Sequence, residues 1–402
     1  MIYAAIDIGT DTTKIVVARY SNKTYDVLAS TNVRTVGVKK GLIVDKAMAK
    51  KSIMLALDQI KEQIGFKIDK ALVNLPCYNL EVTIHNGIIY TDGVVTGKDI
   101  INCFKNTIKD NITDDREVIT VFPIDFTVDD EDKFRDPKGV NGYKLETRLL
   151  ISTLPKELVY SYLDILNDCG VEAIDLCIGP VADYYQAYRE EFNNSLGAVV
   201  NIGDSKCEIS VFNKGLLVKA TTFPVGSKAI DKDIKYIYGF DRMTSRNLKE
   251  GLAFATSSYA DPDLAIEYES LDGEKKKITQ LELSQIVEAR LEDILKNVKK
   301  SLKTLTNREI SYIIVTGGIS DIPGFNYLLE SLFGDITYMV NMNTMGVRSS
   351  IYSSSFGAIK YYCDKLELRD ILETMYDEKM LDQDNNVYQN MIDKMQSFID
   401  NN

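Results

Sequence analysis

The chain contains a single histidine, His85, in 402 residues. That count rules out a multi-histidine metal site and leaves a Ser-His-Asp triad without support. The segment around it, "EVTIHNGIIY", reads as a hairpin strand, which gives His85 a structural role. Six cysteines (Cys77, Cys103, Cys169, Cys177, Cys207 and Cys363) fall at irregular spacings with no CxxC pair. Neither a zinc site nor a disulfide framework follows, and they read as small buried hydrophobes. No apolar run reaches transmembrane length, and the N-terminus lacks the basic, apolar and small-residue order of a signal peptide, so a cytoplasmic protein is expected. A net charge of −12, with basic patches only locally, argues against nucleic acid as a partner. There is also no GxxxxGK[ST] and no GxGxxG, which excludes the P-loop and dinucleotide-binding readings.

What the chain does contain is one pattern written twice. "AIDIGTDTTKIVVARY" starts at residue 5 and "VVNIGDSKCEISVFNK" at residue 199, each an apolar strand broken at the same point by a polar turn. After the first copy, "GLIVDKAMAKKSIMLALDQIKEQIG" places Ile53, Leu57, Ile60 and Ile64 at helical spacing, with Asp45 as cap and Gly65 as stop. "KALVNLP" closes the unit as a buried strand, so the start of the chain reads as half of a mixed sheet. Residues 81–153 change character, with hairpin signals and acidic loops, and read as an inserted subdomain. A helix-like "PKELVYSYLDILNDCG" leads back to the second αβ half. Residues 227–305 read as mostly helical, and Thr279 and Glu282 form a capping box before a long apolar stripe flanked by Lys296, Lys299 and Lys300. "IIVTGGISDIPGF" then supplies a strand, a double-glycine turn and a helix start.

A strand ending in a glycine-containing turn presents successive amides to phosphate oxygens. In the first turn Gly9, Thr10 and Thr13 offer donors, Lys14 a positive charge, and Asp7 a carboxylate for hydrated magnesium. The second turn offers Asn201, Gly203, Asp204, Ser205 and Lys206, and the third, Gly317 and Gly318, leaves room for a base or ribose.

The order of two phosphate turns and an adenosine turn resembles the actin, Hsp70 and sugar kinase superfamily. More narrowly, "VRTVGVKKGLIVDKAMAKKSIMLAL", "VFPIDFTVDDEDKFRDPKGVNGYKLETRLLIST" and "PVGSKAIDKDI" resemble the FtsA family of bacterial division proteins, over residues 3–362. The resemblance implies an α/β, actin-like (ribonuclease H-like duplicated) fold of two lobes with an FtsA-type insert. Subdomain 1A would be residues 1–80 plus 154–197, the insert (1C) 81–153, subdomain 2A 198–226 plus 306–363, and subdomain 2B 227–305. A linker at 364–386 and an amphipathic helix at 387–402 would follow.

It further implies ATP or ADP with Mg2+, bound also by Gly226 and Lys249, and self-association into filaments. The C-terminal peptide of FtsZ would dock on subdomain 2B near Arg290, Lys296, Lys299 and Lys300. The terminal helix would attach to the inner face of the cell membrane at the division site through Met391, Ile392, Met395, Phe398 and Ile399.

Three departures bear on turnover. Asn201 replaces the second aspartate, Gly179 stands where relatives carry a water-orienting Glu or Gln, and Arg246 replaces the glutamate that opens the Glu-x-x-Lys helix motif ending at Lys249. Efficient ATPase activity is therefore not expected. The alternatives are a catalytic ATPase or phosphotransferase of the same superfold, and a PilM-type assembly scaffold.

Overall fold

The computed structural model describes residues 1–131, 133–269, 273, 275–340, 342–367 and 374–376. The first half opens with β1 (Ile2–Ile8), β2 (Thr12–Ser21) and β3 (Thr24–Arg34). A small ribbon follows, β4 (Val38–Lys39) with β5 (Leu42–Ile43), then α1 (Lys46–Ile64) and β6 (Lys70–Leu75). Helix α1 starts where Asp45 accepts the Met48 amide and stops at Gly65, whose left-handed φ of 82° lets the chain reverse. Ile53, Leu57, Ile60 and Ile64 are buried on its inner face, as the spacing predicts.

The insert comprises β7 (Glu81–Val94), α2 (Gly97–Asn111), β8 (Arg116–Val128), β9 (Lys133–Phe134) and β10 (Asn141–Pro155). They form an antiparallel sheet in the order β7-β10-β8-β9. Its core is small: Cys103 of α2 packs with Phe126, Val128 and Leu145 of the sheet. His85 lies in β7, its ring 2.8 Å from the Thr83 hydroxyl.

The chain returns through α3 (Lys156–Asp168), β11 (Glu172–Ile178) and α4 (Gly179–Gln186), and β11 completes a sheet in the order β11-β6-β1-β2-β3. The second half repeats this plan with β12 (Leu196–Ile202), β13 (Cys207–Asn213) and β14 (Leu216–Phe223). Then come α5 (Lys228–Tyr238), α6 (Arg242–Gly251), a ribbon of β15 (Ala265–Glu269) and β16 (Lys275–Thr279), and α7 (Gln280–Leu305). The capping box of Thr279 and Glu282 opens α7, and its stripe from Leu283 to Leu302 is buried. β17 (Tyr312–Thr316), α8 (Phe325–Phe333), β18 (Thr337–Met339) and α9 (Ser353–Glu367) finish the half.

The second sheet runs β14-β13-β12-β17-β18, so each half joins three antiparallel strands to two parallel ones. In this duplication Asp7 pairs across the hairpin with Lys14, while Asn201 pairs with Glu208. Between the halves α9 crosses α4 so closely that a methyl group on Gly357 would overlap the Ala182 carbonyl oxygen.

The linker expected at 364–386 begins instead as the last turn of α9. Further along, Ile2 donates its amide to the Thr374 hydroxyl at 2.9 Å and the Met375 amide donates to the Ile2 carbonyl at 3.2 Å. Tyr376 is buried in the first-half core. Burial of that ring offsets the entropy of holding the strand-edge contact. The amphipathic helix expected at 387–402, with Met391, Ile392, Met395, Phe398 and Ile399, lies outside the described residues. Among the described residues no helix is long and apolar enough to cross a membrane.

Candidate functional site

The ends of β1, β12 and β17 open on one cavity of about 360 Å3 between the lobes. The β1–β2 turn brings Asp7, Gly9, Thr10 and Lys14 to it, and the β12–β13 turn brings Asn201, Gly203, Asp204, Ser205 and Lys206. Gly317 and Gly318 line the third side, with Lys249 of α6 at the wall. Each hairpin turn is closed by its own backbone, Gly9 N–H to the Thr12 carbonyl and Gly203 N–H to the Lys206 carbonyl, both 3.0 Å. The next amides, of Thr10 and Asp11 and of Asp204 and Ser205, reach no acceptor among the described residues, which leaves them free for an anion.

Gly317 has φ of 98°, and any side chain there would overlap the Ile202 carbonyl, so glycine alone fits between the second and third turns. Two residues expected at the cleft are elsewhere. The Thr13 side chain is fully buried and bonded at 2.7 Å to Thr35, because strand alternation turns it into the sheet interior. Gly226 lines a neighbouring cleft, and its lack of a side chain lets β14's exit pass against Gly203 and Asp204 of the second turn.

Every carboxylate around the cavity has an assigned cation or donor. Lys14 Nζ lies 2.8 Å from Asp7, whose other oxygen accepts from Asn74 at 3.3 Å. Lys206 Nζ lies 2.7 Å from Glu208, and the same Glu208 oxygen accepts the Cys77 amide of the opposite lobe at 3.0 Å. Asp204, where a phosphate would meet repulsion, is turned toward Arg242 at 3.1 Å and accepts from Ser205 at 2.7 Å. Arg246 reaches across the gap to Asp11 at 2.8 Å and also holds Glu250, and the neighbouring carboxylates push its already high pKa further up against the opposing cost of burial. Lys249 is spent on Asp231 at 2.6 Å in a nearly solvent-free site, so its charge acts on a ligand only through that pair.

Asn201 donates at 2.8 Å to Asp183 of α4, a fully buried carboxylate that also accepts the hydroxyls of Ser353 and Ser354 at 2.8 Å. Burial raises the Asp183 pKa to about 6 against the lowering effect of those three donors. An aspartate at 201 would place a second negative charge on this group; asparagine supplies a donor instead. That is the physical sense of the departure seen in sequence. At Gly179 a Cβ would meet nothing closer than 3.7 Å, so a side chain could begin there, with Glu208 Oε2 3.9 Å away. Glu208 is already tied to Lys206 and the Cys77 amide, however.

The donor set suits a nucleotide phosphate tail. It does not suit a metal held by protein alone, since no cluster of three ligating side chains occurs among the described residues. Beside Asp7, the Asn74 side-chain oxygen is buried without a partner among the described residues. One carboxylate and one amide oxygen can orient the waters of a magnesium ion that arrives on phosphates. Sequence reasoning missed Asp11, Asn74, Asp183, Glu208 and Arg242. Only Glu208 had a signal, as the residue aligned with Lys14 in the repeat.

For the partner surface, Arg290 is held by Asp233 at 2.5 and 3.0 Å, Lys296 by Glu292 at 2.8 Å, and Lys299 by the Leu332 carbonyl at 2.9 Å. Lys300 is exposed and makes no ion pair among the described residues.

Two like sheets, an α4–α9 crossing and three turns around one cleft define an actin-like protein. Solved structures share the fold: the PilM-PilN type IV pilus biogenesis complex (TM-score 0.61, 14% identity, 89% of this chain and 98% of that one) and MreB5 of Spiroplasma citri bound to ADP (TM-score 0.54, 14%, 92% and 98%). The family model of cell division protein FtsA matches residues 198–357, and that of the SHS2 domain inserted in FtsA matches residues 78–153. Cell division protein FtsA of Streptococcus pneumoniae serotype 2 is 30% identical over 361 residues, 87% of this chain and 78% of that protein. The chain belongs to the FtsA family of cell division proteins.

Proposed function

We propose that this division protein binds an adenine nucleotide with Mg2+ between its lobes as a structural ligand, assembles into filaments, and tethers FtsZ to the cytoplasmic membrane. The observation that carries the nucleotide reading is the meeting of three glycine turns, two with free amides, around one cavity. The MreB5 likeness, a protein solved with ADP, supports it. In this reading Asp7, Gly9, Thr10, Lys14, Asn201, Gly203, Asp204, Ser205 and Lys206 surround the phosphates, and Gly317 and Gly318 border the adenosine.

Magnesium, when bound, offsets phosphate charge; the chain's own part is to hold the tail with turn amides and lysines and to close the lobes over it. Hydrolysis is slow, because Gly179 orients no water and Glu208 is engaged. An acidic segment of the FtsZ peptide would meet the lysine-flanked face of α7, where Lys300 has no ion pair among the described residues and Lys296 and Lys299 can exchange weak partners for stronger ones. The tail, outside the described residues, supplies the membrane attachment, and filament assembly multiplies that weak contact.

The test is equilibrium binding of a fluorescent ATP analogue with and without magnesium, followed by phosphate release on the same sample. Binding with little release is expected. Absence of binding overturns the nucleotide reading, and brisk release overturns the structural-ligand reading.

A further inference from the structure

A second cleft, of about 800 Å3, adjoins the two phosphate turns and shares Thr10, Asp11, Asp204 and Ser205 with the first. Its walls come from both lobes: Arg34, Lys39 and Lys40 from the end of β3 and the β4–β5 ribbon, Lys228, Lys232 and Arg242 from α5 and α6. Against these six cations stand Asp11 and Asp204, which Arg246 and Arg242 already neutralise. Lys39, Lys40, Lys228 and Lys232 make no ion pair among the described residues.

In a chain of net charge −12, a concave surface with this excess is opposite in sign to the whole. Like charges facing each other across a gap destabilise the closed arrangement unless an anion sits between them, and a cleft concentrates their field. The Ser227 and Lys228 amides are taken, donating to the Gly203 and Asp204 carbonyls at 2.9 Å, and the Thr10, Asp11, Asp204 and Ser205 amides belong to turns shared with the first cavity. Recognition therefore falls to ammonium and guanidinium groups, which suit phosphate oxygens. The cations are spread over walls from both lobes, so a linear chain of phosphates meets more of them than a single phosphate does.

We infer that this cleft is a second anion site, for a pyrophosphate- or tripolyphosphate-class ligand, separate from the nucleotide and bridging the two lobes. The site does not require the nucleotide reading, and the experiment separates the two. Tripolyphosphate binding to the full chain is measured by calorimetry, alone and with saturating ATP analogue, in the wild type, Lys39→Gln/Lys40→Gln, Lys228→Gln/Lys232→Gln and Lys14→Gln. Expected is binding that persists with ATP analogue present and in Lys14→Gln, and that weakens about tenfold or more in either cleft double variant. ATP-analogue affinity follows the opposite pattern.

Tripolyphosphate that competes with ATP analogue and is lost in Lys14→Gln belongs to the nucleotide cleft and overturns the proposal. So does binding untouched by both double variants, or no binding to the wild type. Circular dichroism of each variant checks that the fold is intact, Lys39, Lys40 and Lys232 being exposed and Lys14 and Lys228 part-buried.

Discussion

The two phosphate turns share a backbone and differ in charge. In the first, Asp7 and Lys14 neutralise each other within one hairpin. In the second the corresponding pair is Asn201 and Glu208, so the acid has moved across the hairpin and the cation has moved to Lys206. The first turn reaches the other lobe through the Asp11–Arg246 ion pair, whereas the second is wired to it twice through its hairpin pair: Asn201 to Asp183 and Glu208 to the Cys77 amide. A duplicated fold has thus given its second turn the larger share of joining the lobes.

The largest expected effect comes from making the turns alike. Asn201→Asp sets a second carboxylate against buried Asp183 and removes its donor, which costs about 3 kcal/mol at neutral pH. Asp183 has a folded pKa raised to about 6 from an ordinary 3.8. Its contribution to wild-type stability is therefore full below about pH 4 and is lost as pH rises through 6. A proton shared between two carboxylates relieves the variant too, so its deficit should narrow between pH 7 and pH 5. Urea unfolding at both values checks this; a deficit of equal size at the two would place the damage in packing rather than charge.

A smaller effect separates the lysines. Lys14→Gln leaves the Asp7 oxygen facing a bound phosphate without a cation, and should weaken ATP-analogue binding about tenfold or more. Lys206→Gln leaves Glu208 still held by the Cys77 amide, pointed at the other lobe, so it should weaken binding less. Adding Glu208→Gln to Lys206→Gln removes the buried charge that has lost its cation and should restore part of the loss. Equal losses in the two single variants would mean that the wiring of the second turn does not shield the phosphate.

Periodicity and capping made much of this fold legible. The limits of α1 were written in Asp45 and Gly65, and the start of α7 in Thr279 and Glu282, because those signals are local. The glycine turns were visible as a repeat. Thr13 was misplaced because a donor in a turn-like string is, one residue into the strand, turned inward by alternation. Asp183 and Asp11 left no signal, since their roles depend on partners 18 and 235 residues away. The packing of Thr374, Met375 and Tyr376 against β1 was likewise hidden in a stretch whose charge reads as linker.

The smallest expected change in stability, and one that isolates lobe closure, is Arg246→Ala. Its pair with Asp11 joins α6 to the first turn, yet the guanidinium remains partly exposed and also serves Glu250. A partly solvated pair contributes at most about 1 kcal/mol to folding. Its effect on the cleft is different in kind, because Asp11 and Arg246 lie on opposite lobes and the bond forms only when the gap is closed. Removing it favours opening, so a bound nucleotide should leave faster while the rate of association changes little. Stopped-flow dissociation of the ATP analogue reads this directly. A faster release with an almost unmoved unfolding midpoint identifies the pair as a latch, whereas an unchanged release rate assigns closure to Asn201, Glu208 and the α4–α9 crossing alone.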